Sequence, residues 1–357
     1  MNLPLLALAA SILTLASASA TPVEIIPPAL HGALQPQIAV APSGRLHVVF
    51  GKDNVVYYTT SPDGRTFSPP VVIAELDKLA LKMRRGPRVS ATDKLVVVTA
   101  ISHADGNVHA WTSADTGKTW HEAPSLNSVI GSAREGMQAL AGNGRGLVAA
   151  VWLDGRTPGT KLRGRISQDG GATWGDDLSI YESPDGHICE CCQPSAAISA
   201  SGEIAVMWRN WLGGSRDLYV ATSRDAGKSF APAQKLGTGT WRFNACPMDG
   251  GSISYGPDSH WVATWRRESR VFATQPDAPE QLLAPSARQP VAGFAGATPV
   301  LLWEAGPSLI LQRGTTPPAP FASSAAAASI ASSPTAAFVV FESGAGPTST
   351  LLLDRIP

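Results

Sequence analysis

Four cysteines, Cys189, Cys191, Cys192 and Cys246, are the residues of this 357-residue chain with the plainest capacity for chemistry. Three stand together in His187-Ile-Cys-Glu-Cys-Cys192, and the fourth in Asn244-Ala-Cys-Pro-Met-Asp249. Thiols grouped in this way have three uses. They close disulfides in an oxidising compartment, they ligate a soft or borderline metal such as copper or zinc with help from Met248 or His187, or they form a redox-active pair. The spacing Cys-x-Cys-Cys is not a zinc-finger pattern, so the choice among these uses stays open. Cys191 and Cys192 are adjacent, and on extended backbone their side chains would diverge. A bond or ligation from this segment across to Cys246 is therefore expected, with all four thiols acting as one unit.

A second group of residues suits anions. Arginines recur in Arg84-Arg85-Gly-Pro87, Arg209-Asn210 and Arg266-Arg267-Glu-Ser-Arg270, and a planar guanidinium fork matches a carboxylate. Carboxylates that could serve as acid or base are Asp105, Glu135, Asp154 and Glu304, provided two of them come to the right separation.

The elements that must position these groups are written in a repeat. Ser61-Pro-Asp-Gly-Arg-Thr-Phe67, Ser113-Ala-Asp-Thr-Gly-Lys-Thr-Trp120, Ser167-Gln-Asp-Gly-Gly-Ala-Thr-Trp174 and Ser223-Arg-Asp-Ala-Gly-Lys-Ser-Phe230 are one phrase, whose serines at 61, 113, 167 and 223 step by 52, 54 and 56. A fixed period of this size is one supersecondary module repeated. In each phrase Asp bonds to amides of its own turn, Gly takes a positive φ, and the closing aromatic buries between neighbouring units. Alternating strands flank every copy. The inner pairs run Gln35 to Phe50, Gly86 to Val98, Gly136 to Trp152, Gln193 to Trp208, Cys246 to Trp265, Gln289 to Trp303 and Ala328 to Phe341. Seven units are expected. Six is the alternative, with the Ala/Ser-rich stretch 322–332 as a linker. The seventh unit lacks an outer strand, and Pro22-Val-Glu-Ile-Ile-Pro27 at the other end of the chain can supply it, closing the ring.

The phrase Ser-x-Asp-x-Gly-x-Thr-Trp resembles the Asp-box of sialidase-like β-propellers, also called BNR repeats. The resemblance implies an all-β propeller with the boxes on the face away from the active site; sialidases have six blades, whereas the units counted here make seven. It also implies that the loops leading into each inner strand gather over the ring axis, which would bring the four cysteines together there. Sialidases hold a substrate carboxylate with three arginines, and on this resemblance the three are Arg85, Arg209 and Arg270. Asp105 matches the family's acid, and Glu304 the late Glu that pairs with the first arginine. The nucleophilic pair is not matched. Gln193 stands where the family has the activating Glu, and Ala287-Arg-Gln-Pro290 where it has the Tyr, which needs a base beside it because a phenol titrates near 10. Two functions follow. One is a binding propeller without sialidase chemistry, presenting an Arg- and Cys-lined axial pocket to an acidic-sugar-like anion or a metal. The other is a glycoside hydrolase or lyase acting on acidic sugars through a rearranged pair of acids.

Charge and leader narrow the setting. With 28 basic against 28 acidic residues the formal net charge is zero, so nothing pulls the chain toward nucleic acid or a membrane surface. An apolar run from Leu3 to Leu15, followed by Ala16-Ser-Ala-Ser-Ala20, reads as a signal peptide cleaved before Thr21, and is too short to span a bilayer. Residues 21–357 are expected to be one exported domain, periplasmic or secreted, and monomeric.

Overall fold

The computed structural model describes residues 21–357, so the expected leader lies outside the described residues. Twenty-eight strands make seven four-stranded antiparallel sheets. Each sheet is a blade, and in blades one to six the strands run outward in chain order, from the inner Leu34–Val40 to the outer Val71–Glu75 in blade one. The helical pieces among the described residues are two three-residue turns, Pro28–Leu30 and Gly346–Thr348. Among those residues no helix is long and apolar enough to cross a membrane.

Blade seven decides the count. Ala325–Ser332 is its inner strand, followed by Ala337–Ser343 and Thr350–Ile356. The Ala/Ser-rich stretch is therefore a strand and not a linker, since small side chains fit where strands converge on the axis. The fourth strand comes from the N-terminus. Val23 pairs with Leu353 and Glu24 with Leu352, and the Ile25 amide donates to the Leu351 carbonyl at 3.0 Å. Ile25 and Ile26 are buried behind this short strand, which completes blade seven to four strands like the other six.

The Asp-boxes turn between third and fourth strands of blades one to four. In the second box Ser113 Oγ donates to Asp115 Oδ1 at 2.8 Å and accepts from the Gly117 amide at 2.8 Å. Asp115 also accepts from the amides of Lys118 and Thr119. Gly117 has φ 89°, and a Cβ there would come within 2.0 Å of the Tyr58 ring, so both backbone and space require glycine. Trp120 then packs edge-on against Tyr58 of the preceding blade, ring centres 5.1 Å apart. The first box is one residue shorter, and the Gly64 amide reaches Ser61 Oγ at 2.9 Å instead.

Between blades, the second strands carry the bulk of the core. Trp152, Trp208 and Trp265 occupy equivalent places in blades three, four and five and are fully buried, as are Phe50 and Phe341 in blades one and seven. Removing one such aromatic would cost roughly 3–5 kcal/mol. This packing holds the loops on the face opposite the boxes in fixed relative positions.

Candidate functional site

The cysteine segment is built by the approach to blade four. Ile188 bridges to Asn210, and the Cys189 amide donates to the Arg209 carbonyl at 3.1 Å, which pins the segment beside its own blade. Residues 190–192 then form a turn before the inner strand Ser195–Ile198. Because the backbone turns there, Cys191 and Cys192 do not diverge. Both sulfurs come to Cys189 Sγ, at 3.6 Å and 3.5 Å, and the three lie within 4.8 Å of one another, all buried. Cys246 is exposed and outside this cluster. The expected unit of four is thus a unit of three within one loop, and the expected link to Cys246 is not made.

Two arginines set the charge of the cluster. Arg216 Nη1 donates to Cys189 Sγ at 3.0 Å, while its Nε donates to the Phe243 carbonyl and its guanidinium lies 4.4 Å over the Trp211 ring. Hydrogen bonds from Cys191 and Cys192, with the charges of Arg209 and Arg216, hold the Cys189 thiol far below its ordinary range. Hydrogen bonding to Cys189 pushes Cys191 up, and burial pushes Cys192 up to about 12. Cys192 Sγ also accepts the Asp249 amide at 3.4 Å. Cys189 is thus the member of the trio readiest to ionise. A metal bonded at ~2.3 Å to three sulfurs in a plane separates them by about 4 Å, close to what the trio presents, so the donor set fits a soft or borderline cation.

The arginines divide differently from expectation. Arg209, 1 % exposed, gives its guanidinium to backbone: Nε and Nη2 donate to Asp249 O at 3.0 and 2.7 Å, Nη1 to Arg216 O at 2.6 Å, and Nη2 also to Arg266 O at 2.9 Å. It staples blade four to blade five and is not offered to a ligand. Arg270 is exposed at the hairpin between second and third strands of blade five. Arg85 is half-buried, its Nε donating to the Glu135 carbonyl at 2.7 Å.

The arginine that reaches the axis is Arg84. Its Nε donates to Gln289 Oε1 at 2.9 Å, Nη2 to Gln289 O at 2.6 Å and Nη1 to Ala328 O at 2.9 Å, so it crosses from blade two to blades six and seven. Lys82, Met83 and Arg84 all have positive φ, 65°, 51° and 62°, a left-handed run without glycine. Each such residue costs roughly 1–2 kcal/mol, and the three bonds across the ring hold the run in place. Sequence reading included Arg84 in a segment of interest but gave the role to its neighbour Arg85, and it missed Arg216, which lies seven residues after Arg209.

The two acids proposed for a hydrolase are held apart in separate networks. Asp105 Oδ2 bonds His109 Nε2 at 2.9 Å in blade two, and His109 also contacts Glu122 of the outer strand. Glu304, in blade six, accepts from Arg288 Nε at 3.0 Å and the Ala327 amide at 3.1 Å. Its arginine is Arg288, not Arg85, and the axial charge it meets is that of Arg84. Asp154 is fully buried with Ser132, Trp152 and Arg156. Gln193 keeps Oε1 buried without a partner.

Residues 87–240 match the BNR repeat-like domain family. With the four boxes and seven blades in place, the match supports a sialidase-like β-propeller carrying BNR-like repeats. No curated protein matches it by sequence. Among solved structures, an α-L-arabinanase of Penicillium chrysogenum complexed with arabinobiose is 14% identical, with TM-score 0.57, over 95% of this chain and 98% of that one. A Streptococcus pneumoniae sialidase mutant is 12% identical, TM-score 0.52, over 94% and 70%. A mutant of Aleuria aurantia lectin in complex with Fucα1-6GlcNAc is 10% identical, TM-score 0.51, over 82% and 95%. At these identities the likeness is one of fold, and the BNR propeller's chemistry must be argued from its own side chains.

Proposed function

We propose that this BNR-repeat propeller is an exported, monomeric binding protein that holds one soft metal ion, copper(I) or zinc, on Cys189, Cys191 and Cys192, and that it does not hydrolyse sialosides. The observation that carries this reading is the convergence of three buried sulfurs within 4.8 Å. Arg216 at 3.0 Å from Cys189 adds to it, because a cation there keeps a ligand sulfur deprotonated and offsets the negative charge of a thiolate-rich complex. Three donors suit copper(I) without addition, whereas zinc would take a fourth ligand from solvent. The lack of a Tyr/Glu pair at Gln193 and Ala287–Pro290 supports the second half of the proposal.

A glycan-related role is the second reading. It draws on the sugar complexes of the arabinanase and the lectin, and on Arg85 and Arg270, which keep solvent-facing guanidinium on the loop face. It is weakened by Arg209, whose donors are taken by carbonyls, and by the separate engagement of Asp105 and Glu304.

Metal analysis of the exported protein, with a thiol count, tests the first reading. The expected result is about one copper or zinc per chain, lost in Cys191→Ser. Cys246 alone should react with a thiol reagent before chelation, and all four cysteines after chelation and unfolding. Metal-free protein with two of the three clustered thiols joined as a disulfide would sink the proposal.

A further inference from the structure

The ring axis holds a second feature, on the other side of the Arg84 crossing. A cavity of about 700 Å³ runs down the middle of the propeller between the seven inner strands, a volume within the range of small-molecule sites. Its far end is rimmed by the turns that leave the inner strands, including Pro42, Asn143, Pro257 and Pro334, so it opens on the Asp-box face. Alanine and serine are the commonest residues of its wall. Its near end is closed by Arg84, Arg88 and Gln193.

The charges along this channel have one sign. Arg84, Arg88 and, at the mouth, Arg145 line it, and no carboxylate does. Arg88 is buried with only carbonyl partners, those of Arg84, Arg85, Gly86 and Pro87. Burial and the neighbouring Arg84 lower it to about 9, which leaves it protonated at neutral pH. Burying a charge without a counter-charge is costly. The acids nearest Arg84 sit on the loop side and are engaged there: Glu304 by Arg288, Asp249 by the Gln289 amide and Glu342 by the Gln35 amide. Burial raises both Asp249 and Glu342. Arg84 keeps one uncommitted N–H on each terminal nitrogen, since each makes a single bond. Gln193, which lines the same cavity, is 8 % exposed and its Oε1 accepts nothing. An occupant would thus meet donors suited to an oxyanion and an acceptor suited to a hydroxyl, between walls of serine hydroxyls and small apolar groups.

We propose that the axial channel is an anion-binding site, distinct from the cysteine cluster, that takes a small hydroxylated organic anion through the Asp-box face and seats its charged end against Arg84 and Arg88. Isothermal titration of the mature chain with glucuronate, glucose and sulfate at constant ionic strength tests it. Glucuronate should bind, and glucose and sulfate should each bind at least ~10-fold more weakly, about 1.4 kcal/mol. Ser254→Glu places a carboxylate on the channel wall, where Ser254 makes no side-chain hydrogen bond, and should weaken glucuronate by a similar factor with an unchanged circular dichroism spectrum. Arg85→Ala, on the opposite face, should leave the affinity as it is, and so should Cys191→Ser. Glucuronate binding no better than glucose or sulfate, binding that survives Ser254→Glu, or binding lost with Arg85→Ala would each overturn the assignment.

Discussion

Replacing Arg209 separates a structural staple from a ligand clamp. The guanidinium makes four hydrogen bonds to three backbone carbonyls, those of Asp249, Arg216 and Arg266, and lies 5.2 Å over the Trp241 ring. Arg209→Met keeps much of the side-chain volume and removes every donor. Each buried carbonyl left without a partner costs about 1–3 kcal/mol, so the loss of three is roughly 3–9 kcal/mol. Against a total stability of about 5–15 kcal/mol that is a large fraction. At ~2–4 °C per kcal/mol the melting midpoint should fall by roughly 6 °C or more. Arg209→Lys should rescue little, because one ammonium cannot reach three carbonyls set around a planar fork. Urea titration and thermal melting of the two variants beside Arg85→Ala provide the assay, with Arg85→Ala expected within about 0.5 kcal/mol of the parent as a change away from the core. A variant at 209 that melts with the parent yet loses an acidic-sugar ligand would refute the reasoning and restore Arg209 as a binding residue.

Three further outcomes are expected. Deleting residues 21–28 removes the strand that pairs with Leu352 and Leu353 and uncovers the edge of blade seven, so the melting transition should fall and broaden; an unchanged transition would mean the ring closes another way. His47, buried and sharing a 2.7 Å hydrogen bond with Tyr58, is lowered by burial from 6.5 to about 4. The unfolded chain therefore binds its proton first, so stability is complete above pH ~6.5 and falls as pH drops toward 4, by at most about 1.4 kcal/mol per pH unit. His47→Gln should flatten the stability profile between pH 6.5 and 5, and an equally steep profile in that variant would count against the assignment. Finally, a fluorogenic sialoside should not be turned over; hydrolysis abolished by Arg85→Ala would show that a nucleophile lies elsewhere on the loop face.

What the sequence determined by itself is the architecture. Four boxes at a steady period and the alternating strand pairs between them specify a propeller of six or seven blades, because turn chemistry and period-two alternation are local properties that survive without tertiary context; the pairing of Val23–Glu24 with the last strand settles seven. The site was legible only as a region. That Cys189, Cys191 and Cys192 converge while Cys246 stays out depends on a turn at 190–192 and on the hold of Ile188 and Cys189 on Asn210 and Arg209, neither of which the spacing Cys-x-Cys-Cys expresses. That Arg84 crosses the axis while its neighbour Arg85 stays on the rim depends on three consecutive left-handed residues, stabilised by partners more than 200 positions away along the chain. Adjacent side chains share a place in the sequence but point in different directions, and only the packed ring determines which of them meets the axis.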